Sequence, residues 1–264
     1  MDAAQFRGPA GVLAVLLLEI ALGSLGVLVV APVWGVVKRG YFLLVGWTVV
    51  VCALLSLLSA SGALGRVGSD GSATRLALWA FAGLSAGALA ALQTRRERLG
   101  RWVGVAACVA GVGAVLGVAG LRGSGGTAWG GVAAMLTGAA FLGATWDGMV
   151  LGHWYLVDRK LKNDPMRWHA WAFTAGIALA VVSAALAKGG RPTGSEAGLN
   201  PLLLVSDLTL YLAFGLVGVC ALLAFFVHKL VNEGSIRAAT GMLYLAVIMA
   251  FSAEFAAKAR FFTV

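Results

Sequence analysis

Charged residues are scarce in this sequence. Only 12% of its 264 residues are Asp, Glu, Lys or Arg, whereas 60% are apolar and the mean hydropathy is +0.91. Soluble globular proteins have roughly 25% charged residues. The few charges are clustered in short segments and cannot form a water-exposed surface, which excludes a soluble protein. The composition predicts an all-α, polytopic integral membrane protein in contact with lipid.

Cysteine and the signatures of soluble enzymes are also rare or missing. The three cysteines, Cys52, Cys108 and Cys220, each lie within an apolar run, and no CxxC pair or zinc-type Cys/His spacing occurs. We interpret them as packing residues. No Walker loop, GxSxG or HExxH motif is present, which argues against soluble-type catalysis within the chain.

Apolar runs dominate what remains. A helix needs about 20 apolar residues to cross a hydrocarbon core of about 30 Å. The first run is too long for a signal-peptide core, so we interpret it as a retained span. The sequence predicts about eight transmembrane helices in a single transmembrane domain, residues 1–264: Ala10–Pro32, Tyr41–Leu64, Leu76–Leu92, Trp102–Leu121, Ala128–Val157, Trp168–Ala187, Pro201–Val227 and Ala238–Ala257.

The basic residues predict an orientation rather than a nucleic-acid partner. Although the formal net charge is +9, the Lys and Arg residues lie in short segments between apolar runs. Twelve follow spans one, three, five and seven, and eight, including Lys258, lie on the opposite side. Because basic loops stay cytoplasmic, we expect a multi-pass protein of the cell (inner) membrane with both termini outside.

A weak internal symmetry divides the spans into two sets of four. Leu76-Ala-Leu-Trp and Leu208-Thr-Leu-Tyr lie 132 positions apart, half the chain length. Glu19 and Asp147 each place a carboxyl group in the first span of a set. The pattern allows a parallel repeat of two four-helix bundles, residues 1–127 and 128–264.

Glu19 and Asp147 are the acids most suited to a catalytic or proton-carrying role. An ionisable group at membrane depth is paired, turned inward or functional. Neither has an evident partner on its own helix, whereas Glu254 has Lys258 four residues on and Asp207 suits a helix N-terminus. We expect a proton route from Asp207 or Glu254 through Glu19 and Asp147 to His153, unless each acid is satisfied by a neighbouring helix.

Helical phasing separates Asp147 from His153. His153 shares a face with Leu142, Trp146 and Met149, whereas Asp147 points about 120° away, so the two side chains should contact different neighbours. Gly148 and Gly152 form a GxxxG pair that permits another helix to approach closely.

Histidines and aromatic residues gather at the predicted cytoplasmic side. His153 and His228 are the pair best suited to ligate the iron of a b-type haem. The aromatic cluster Trp154, Tyr155, Trp168 and Trp171, together with His169, is suited to wall a pocket for a quinone, menaquinone or ubiquinone. The same residues also fit an ordinary interfacial aromatic belt.

In arrangement the chain resembles the polytopic membrane anchor subunits of respiratory oxidoreductases, of the polysulfide reductase and dimethyl sulfoxide reductase type. The resemblance covers the architecture of the whole chain and no aligned motif. It implies a quinol site near one membrane surface and other subunits of a membrane complex as partners. Three histidines cannot form the two pairs of a two-haem cytochrome b, and the four-histidine pattern of haem A synthase fails for the same reason.

Three functions remain open from the sequence. The first is an integral membrane subunit of a respiratory electron-transfer complex, non-catalytic or reactive with quinone. The second is a small proton- or cation-coupled transporter that uses Glu19 and Asp147. The third is a purely structural helical subunit.

Overall fold

The computed structural model describes residues 9–64, 69–120, 128–158, 160–186 and 208–262. Within these ranges the chain forms eight helices, each long and apolar enough to cross a membrane. The predicted all-α, multi-pass architecture is therefore confirmed. The helices are α1 (Pro9–Val30), α2 (Arg39–Leu64), α3 (Ser69–Gln93), α4 (Glu97–Gly120), α5 (Ala128–Val157), α6 (Asp164–Leu186), α7 (Leu208–Asn232) and α8 (Ile236–Phe262).

Several helices extend beyond the apolar runs that predicted them. α3 begins at Ser69 rather than Leu76, and α8 continues to Phe262 rather than ending near Ala257. Backbone hydrogen bonds continue where the side chains become polar, so these helices extend beyond their apolar runs. The predicted start of span seven at Pro201 lies outside the described residues.

The helices pack as two closed rings of four. In the first, α1 contacts α2, α2 contacts α3, α3 contacts α4, and α4 returns to α1; α5 to α8 repeat this order. The most extensive contact between the rings is made by α1 and α5. The first helix of each set therefore forms the centre of the molecule.

Two glycines bring α1 and α5 into backbone contact. A Cβ atom built on Gly143 would overlap the carbonyl group of Gly23 and the amide nitrogen of Ser24, and one on Gly23 would overlap the carbonyl oxygen of Ala139. No side chain larger than hydrogen fits at this crossing, as is typical of helices that pack closely in lipid.

The third helix of each ring, α3 and α7, ends in the same type of turn. The amide of Arg96 bonds to the carbonyl of Ala91 at 2.9 Å, and that of Ser235 bonds to Leu230 at 2.8 Å. Between them, Arg95 (φ 62°) and Gly234 (φ 75°) occupy the left-handed C-cap position. These turns lie 139 positions apart, so the sequence echo at 132 positions does not superimpose corresponding turns.

Candidate functional site

Four helices converge on a fully buried lysine. The Lys258 ammonium group of α8 lies 2.9 Å from Glu254 Oε2 and 3.0 Å from Glu19 Oε1 of α1. It also donates to Ser183 Oγ of α6 and to the carbonyl oxygen of Ala134 in α5, both at 3.0 Å. We call Glu19, Ser183, Glu254 and Lys258 the charge cluster.

Glycine makes room for the charge cluster on α5. A Cβ atom on Gly138 would lie 2.7 Å from Glu254 Oε2, 3.0 Å from Lys258 Nζ and 3.1 Å from Glu19 Oε1. The hydrogen side chain of Gly138 thus lets three charged groups approach the α5 backbone. Glu19 lies near the middle of the 22-residue α1, so the charges lie deep within the helical bundle.

The charge cluster contains more acid than base. Two carboxyl groups face one ammonium group, and Glu19 and Lys258 are completely buried while Glu254 nearly is. The Lys258–Glu19 contact is an ion pair by distance but lacks hydrogen-bond geometry, and Glu19 Oε2 has no hydrogen-bond partner among the described residues. Glu19 is therefore the less satisfied of the two acids.

The outcome for these residues differs from the sequence prediction in one respect. The pair between Glu254 and Lys258 is confirmed. Counting Lys258 among the charges that flank the spans is wrong, because α8 continues past it and its side chain turns inward to the acids. Sequence spacing reveals pairs within a helix but not the contact between α1 and α8, so the partner of Glu19 was missed.

A second set of buried polar side chains includes Asp147. The Asp147 carboxyl group is fully buried, and neither of its oxygens has a hydrogen-bond partner in the described part of the chain. Ser24 of α1 and Tyr41 of α2 lie near enough to interact with it, yet Ser24 Oγ is likewise buried without a bond. We call Ser24, Tyr41, Asp147 and His169 the Asp147 cluster.

His169 links the Asp147 cluster to the start of α6. Its Nδ1 lies 2.9 Å from the Pro165 carbonyl oxygen, and its Nε2 lies 3.3 Å from Tyr41 Oη. A carbonyl oxygen only accepts, so in the neutral ring Nδ1 carries the proton and Nε2 accepts from the Tyr41 hydroxyl. His169 is thus a buried, bonded residue rather than an exposed interfacial one.

Glu19 and Asp147 lie at different depths. α1 and α5 are level where Glu19 meets Gly138 and again where Gly23 meets Gly143. Asp147 is nine residues beyond Gly138, which places it about 13 Å further along the helix axis. The two acids, which the sequence grouped as equivalent positions of a repeat, therefore belong to separate clusters.

The predicted haem-ligating histidines contact different helices. His153 Nδ1 lies 3.0 Å from Tyr244 Oη of α8, whereas His228 Nε2 lies 2.9 Å from Thr174 Oγ1 of α6. As phasing predicted, His153 and Asp147 have different neighbours. Among the described residues, no three His, Cys, Asp or Glu side chains gather in a way that would hold a metal ion.

The aromatic residues predicted to wall a quinone pocket each have a different neighbour. The Trp154 indole covers Gly40, the Tyr155 hydroxyl donates to the Lys162 carbonyl, and the Trp168 ring packs edge-on against His169. The GxxxG pair does admit α8, because Gly152 lies against Thr240 and Gly148 against Leu243. Asp207, the predicted outer entry of a proton route, lies outside the described residues.

A cavity of about 650 Å³ with several charged lining residues opens near the start of α6. The α1–α2 and α5–α6 turns line it, through residues that include Lys38, Asp158, Lys162, Asp164 and Pro165. We call it the vestibule. Pro165 lines it and accepts the hydrogen bond from His169, so the vestibule ends one hydrogen bond from the Asp147 cluster.

An ion pair joins the α1–α2 turn to the α5–α6 turn at the vestibule. Lys38 Nζ lies 3.0 Å from Asp158 Oδ2, and the hydrogen bond from Lys38 lowers the pKa of the Asp158 carboxyl group. A lowered folded-state pKa means that the pair stabilises the fold when the pH is above the unfolded-state pKa, and that this stabilisation is lost as the pH falls through the folded-state pKa.

We therefore expect acidification below pH 3.8, the usual pKa of Asp, to loosen the two turns, as measured by spin-label distances between them. Lys38→Met should abolish this pH dependence, and a dependence retained in that variant would contradict the assignment.

An apolar cavity of about 320 Å³ lies between α1, α5 and α8. Leu142 and Trp146, from the predicted His153 face of α5, form one wall, and Val247, Ile248 and Phe251 of α8 form another. Ile20 adjoins it from α1, next in sequence to Glu19. The cavity thus reaches the level of Glu19 along α1, and its walls are apolar.

Comparison of the chain with protein families, curated proteins and solved structures finds no match.

Proposed function

We propose that this multi-pass membrane protein is a proton-coupled transporter whose proton-binding centre is the charge cluster. The observation that carries the proposal is the fully buried Lys258 ammonium group between two carboxyl groups, at the meeting point of α1 from one ring and α5, α6 and α8 from the other.

Charge balance supports a titratable proton. Two ionised carboxylates and one ammonium group carry a net charge of −1, which is costly in a medium of low dielectric constant. One proton on Glu19 or Glu254 makes the cluster neutral. Glu19 is the better proton acceptor, since its Oε2 has no bond within the described ranges.

The position of the cluster supports coupling to movement. Lys258 and Glu254 are on a helix of the second ring, and Glu19 is on a helix of the first. Protonation of Glu19 would weaken its attraction to Lys258 and with it one tie between the rings. In transporters built from repeats, such an interface is where the halves move against each other.

A pH-step experiment tests the proton-binding role. Purified protein is reconstituted in vesicles, adsorbed on a solid-supported membrane and exposed to a rapid pH change without any other solute. We expect a transient charge displacement in the wild type, reduced at least tenfold in Glu19→Gln, because that variant cannot bind the proton. Glu233→Gln, at an exposed acid after α7, is the matched control and should behave like the wild type.

Two outcomes would overturn the proposal. One is a wild-type signal no larger than that of protein-free vesicles. The other is an unchanged signal in Glu19→Gln, with the variant shown to be folded by its resistance to detergent. Either result would leave the charge cluster with a purely structural role.

A second candidate function is supported by the apolar cavity. A quinone-reactive membrane subunit of a respiratory complex needs a lipid-accessible pocket, and about 320 Å³ is near the lower end of the range for small-molecule sites. Leu142 and Trp146 share the face of α5 that carries His153, a predicted haem ligand. Co-purification of redox subunits and of extractable quinone in mild detergent would favour this function, and a reduced-minus-oxidised spectrum would test for haem b at His153 and His228.

A further inference from the structure

We propose that Asp147 is a second, separate proton-binding site, which holds its proton as a neutral acid hydrogen-bonded to Ser24 and exchanges it with the vestibule through Tyr41 and His169. This inference does not depend on the role of the charge cluster, and its test does not involve transport.

The first step is the absence of a countercharge. Asp147 and Ser24 are both fully buried, and three of their oxygen atoms, Asp147 Oδ1 and Oδ2 and Ser24 Oγ, have no hydrogen-bond partner in the portion of the chain described. Buried polar atoms are normally bonded. A single proton on Asp147 supplies a donor that a facing hydroxyl can accept and removes the buried charge.

The second step concerns the groups around Asp147. Tyr41 of α2 is the titratable side chain that interacts with Asp147, and it is bonded to His169 of α6, whose Cβ lies beside Gly148, the next residue after Asp147. From α1 the neutral Ser24 interacts with Asp147, and α8 packs Leu243 against the neighbouring Gly148. The described neighbours therefore include no lysine or arginine that would hold Asp147 ionised, in contrast to Glu19.

The third step is access from one side. The Tyr41 hydroxyl donates to His169 Nε2, and His169 Nδ1 donates to Pro165, which lines the vestibule. Asp147 itself lies ten residues from the end of α5, about 15 Å from the vestibule side. The hydrogen bonds from Tyr41 through His169 to Pro165 lead toward the vestibule, and an imidazole can accept a proton on one nitrogen as it releases one from the other.

Infrared difference spectroscopy of the full-length protein in vesicles tests both parts. At neutral pH we expect a component of the protonated-carboxyl C=O band that is lost in Asp147→Asn and retained in Glu233→Gln. On transfer to D₂O this band should shift, and the shift should be at least tenfold slower in Tyr41→Phe and His169→Gln. Labelling by a lipid-soluble carbodiimide, located by peptide mass spectrometry, gives a second readout in the wild type, because such reagents modify protonated carboxyl groups in apolar surroundings.

The outcomes separate the two parts of the proposal. If no protonated-carboxyl band disappears in Asp147→Asn and no carbodiimide adduct forms at Asp147, the acid is ionised and the site is wrong. If the band is present but Tyr41→Phe and His169→Gln exchange as fast as the wild type, the exchange path is wrong. Failure of the pH-step signal in Glu19→Gln variants has no bearing on either result.

Discussion

Lys258→Met is expected to lower the free energy of unfolding by about 3–5 kcal/mol, the cost of removing one partner from a buried ion pair. The substitution leaves Glu19 and Glu254 close together, fully or almost fully buried and without their common cation. The hydrogen bonds to Ser183 and Ala134 are lost at the same time. Unfolding by a denaturing detergent in mixed micelles measures the loss.

Two further variants show whether the charge is responsible. Lys229→Met removes an exposed lysine at the end of α7 and should change stability little. The triple variant Glu19→Met, Glu254→Met, Lys258→Met removes the whole set of charges and should recover most of the stability, because apolar replacements of a buried ionic group are often neutral. If the triple variant were as unstable as Lys258→Met, packing rather than unpaired charge would account for the loss.

Gly143→Ala is expected to cost about 3 kcal/mol, the upper part of the range for overpacking a well-packed core. The added methyl group would overlap the backbone of Gly23 and Ser24. Backbone atoms cannot rotate away as a flexible side chain does, so α1 and α5 must separate. Because this crossing joins the two rings, we expect a lower midpoint in detergent unfolding together with easier proteolysis between the halves.

The chain contains a matched control for this substitution. Gly130 lies on the same helix, and a Cβ atom there would meet nothing within 4 Å. Gly130→Ala should therefore be neutral or stabilising by up to about 1 kcal/mol, since alanine restricts the unfolded chain more than glycine does. Equal destabilisation in both variants would mean that helix propensity, not the close approach of α1, determines the effect.

The candidate sites were only partly predictable. Glu19 and Asp147 stand out because carboxyl groups are rare in apolar runs, and the spacing of Glu254 and Lys258 reveals their pair directly. The tie from Lys258 to Glu19 joins residues 239 positions apart, and no periodicity encodes such a contact. Tyr41 was missed because a tyrosine at the start of a span is also typical of an interfacial belt residue.

The sequence by itself determined that this protein lies in a membrane, how many spans it has and which face of α5 carries each polar residue. Those properties depend on hydropathy and on helical period, which are local. Only the tertiary structure decided that Glu19 has a lysine partner while Asp147 has none in the described part of the chain, and that the two acids are separated by about 13 Å along the axis of α5. The physical reason is that the pairing of buried charges depends on which helices meet and at what depth. The packing of Gly23 against Gly143, and of Gly138 against the charges, fixes that depth.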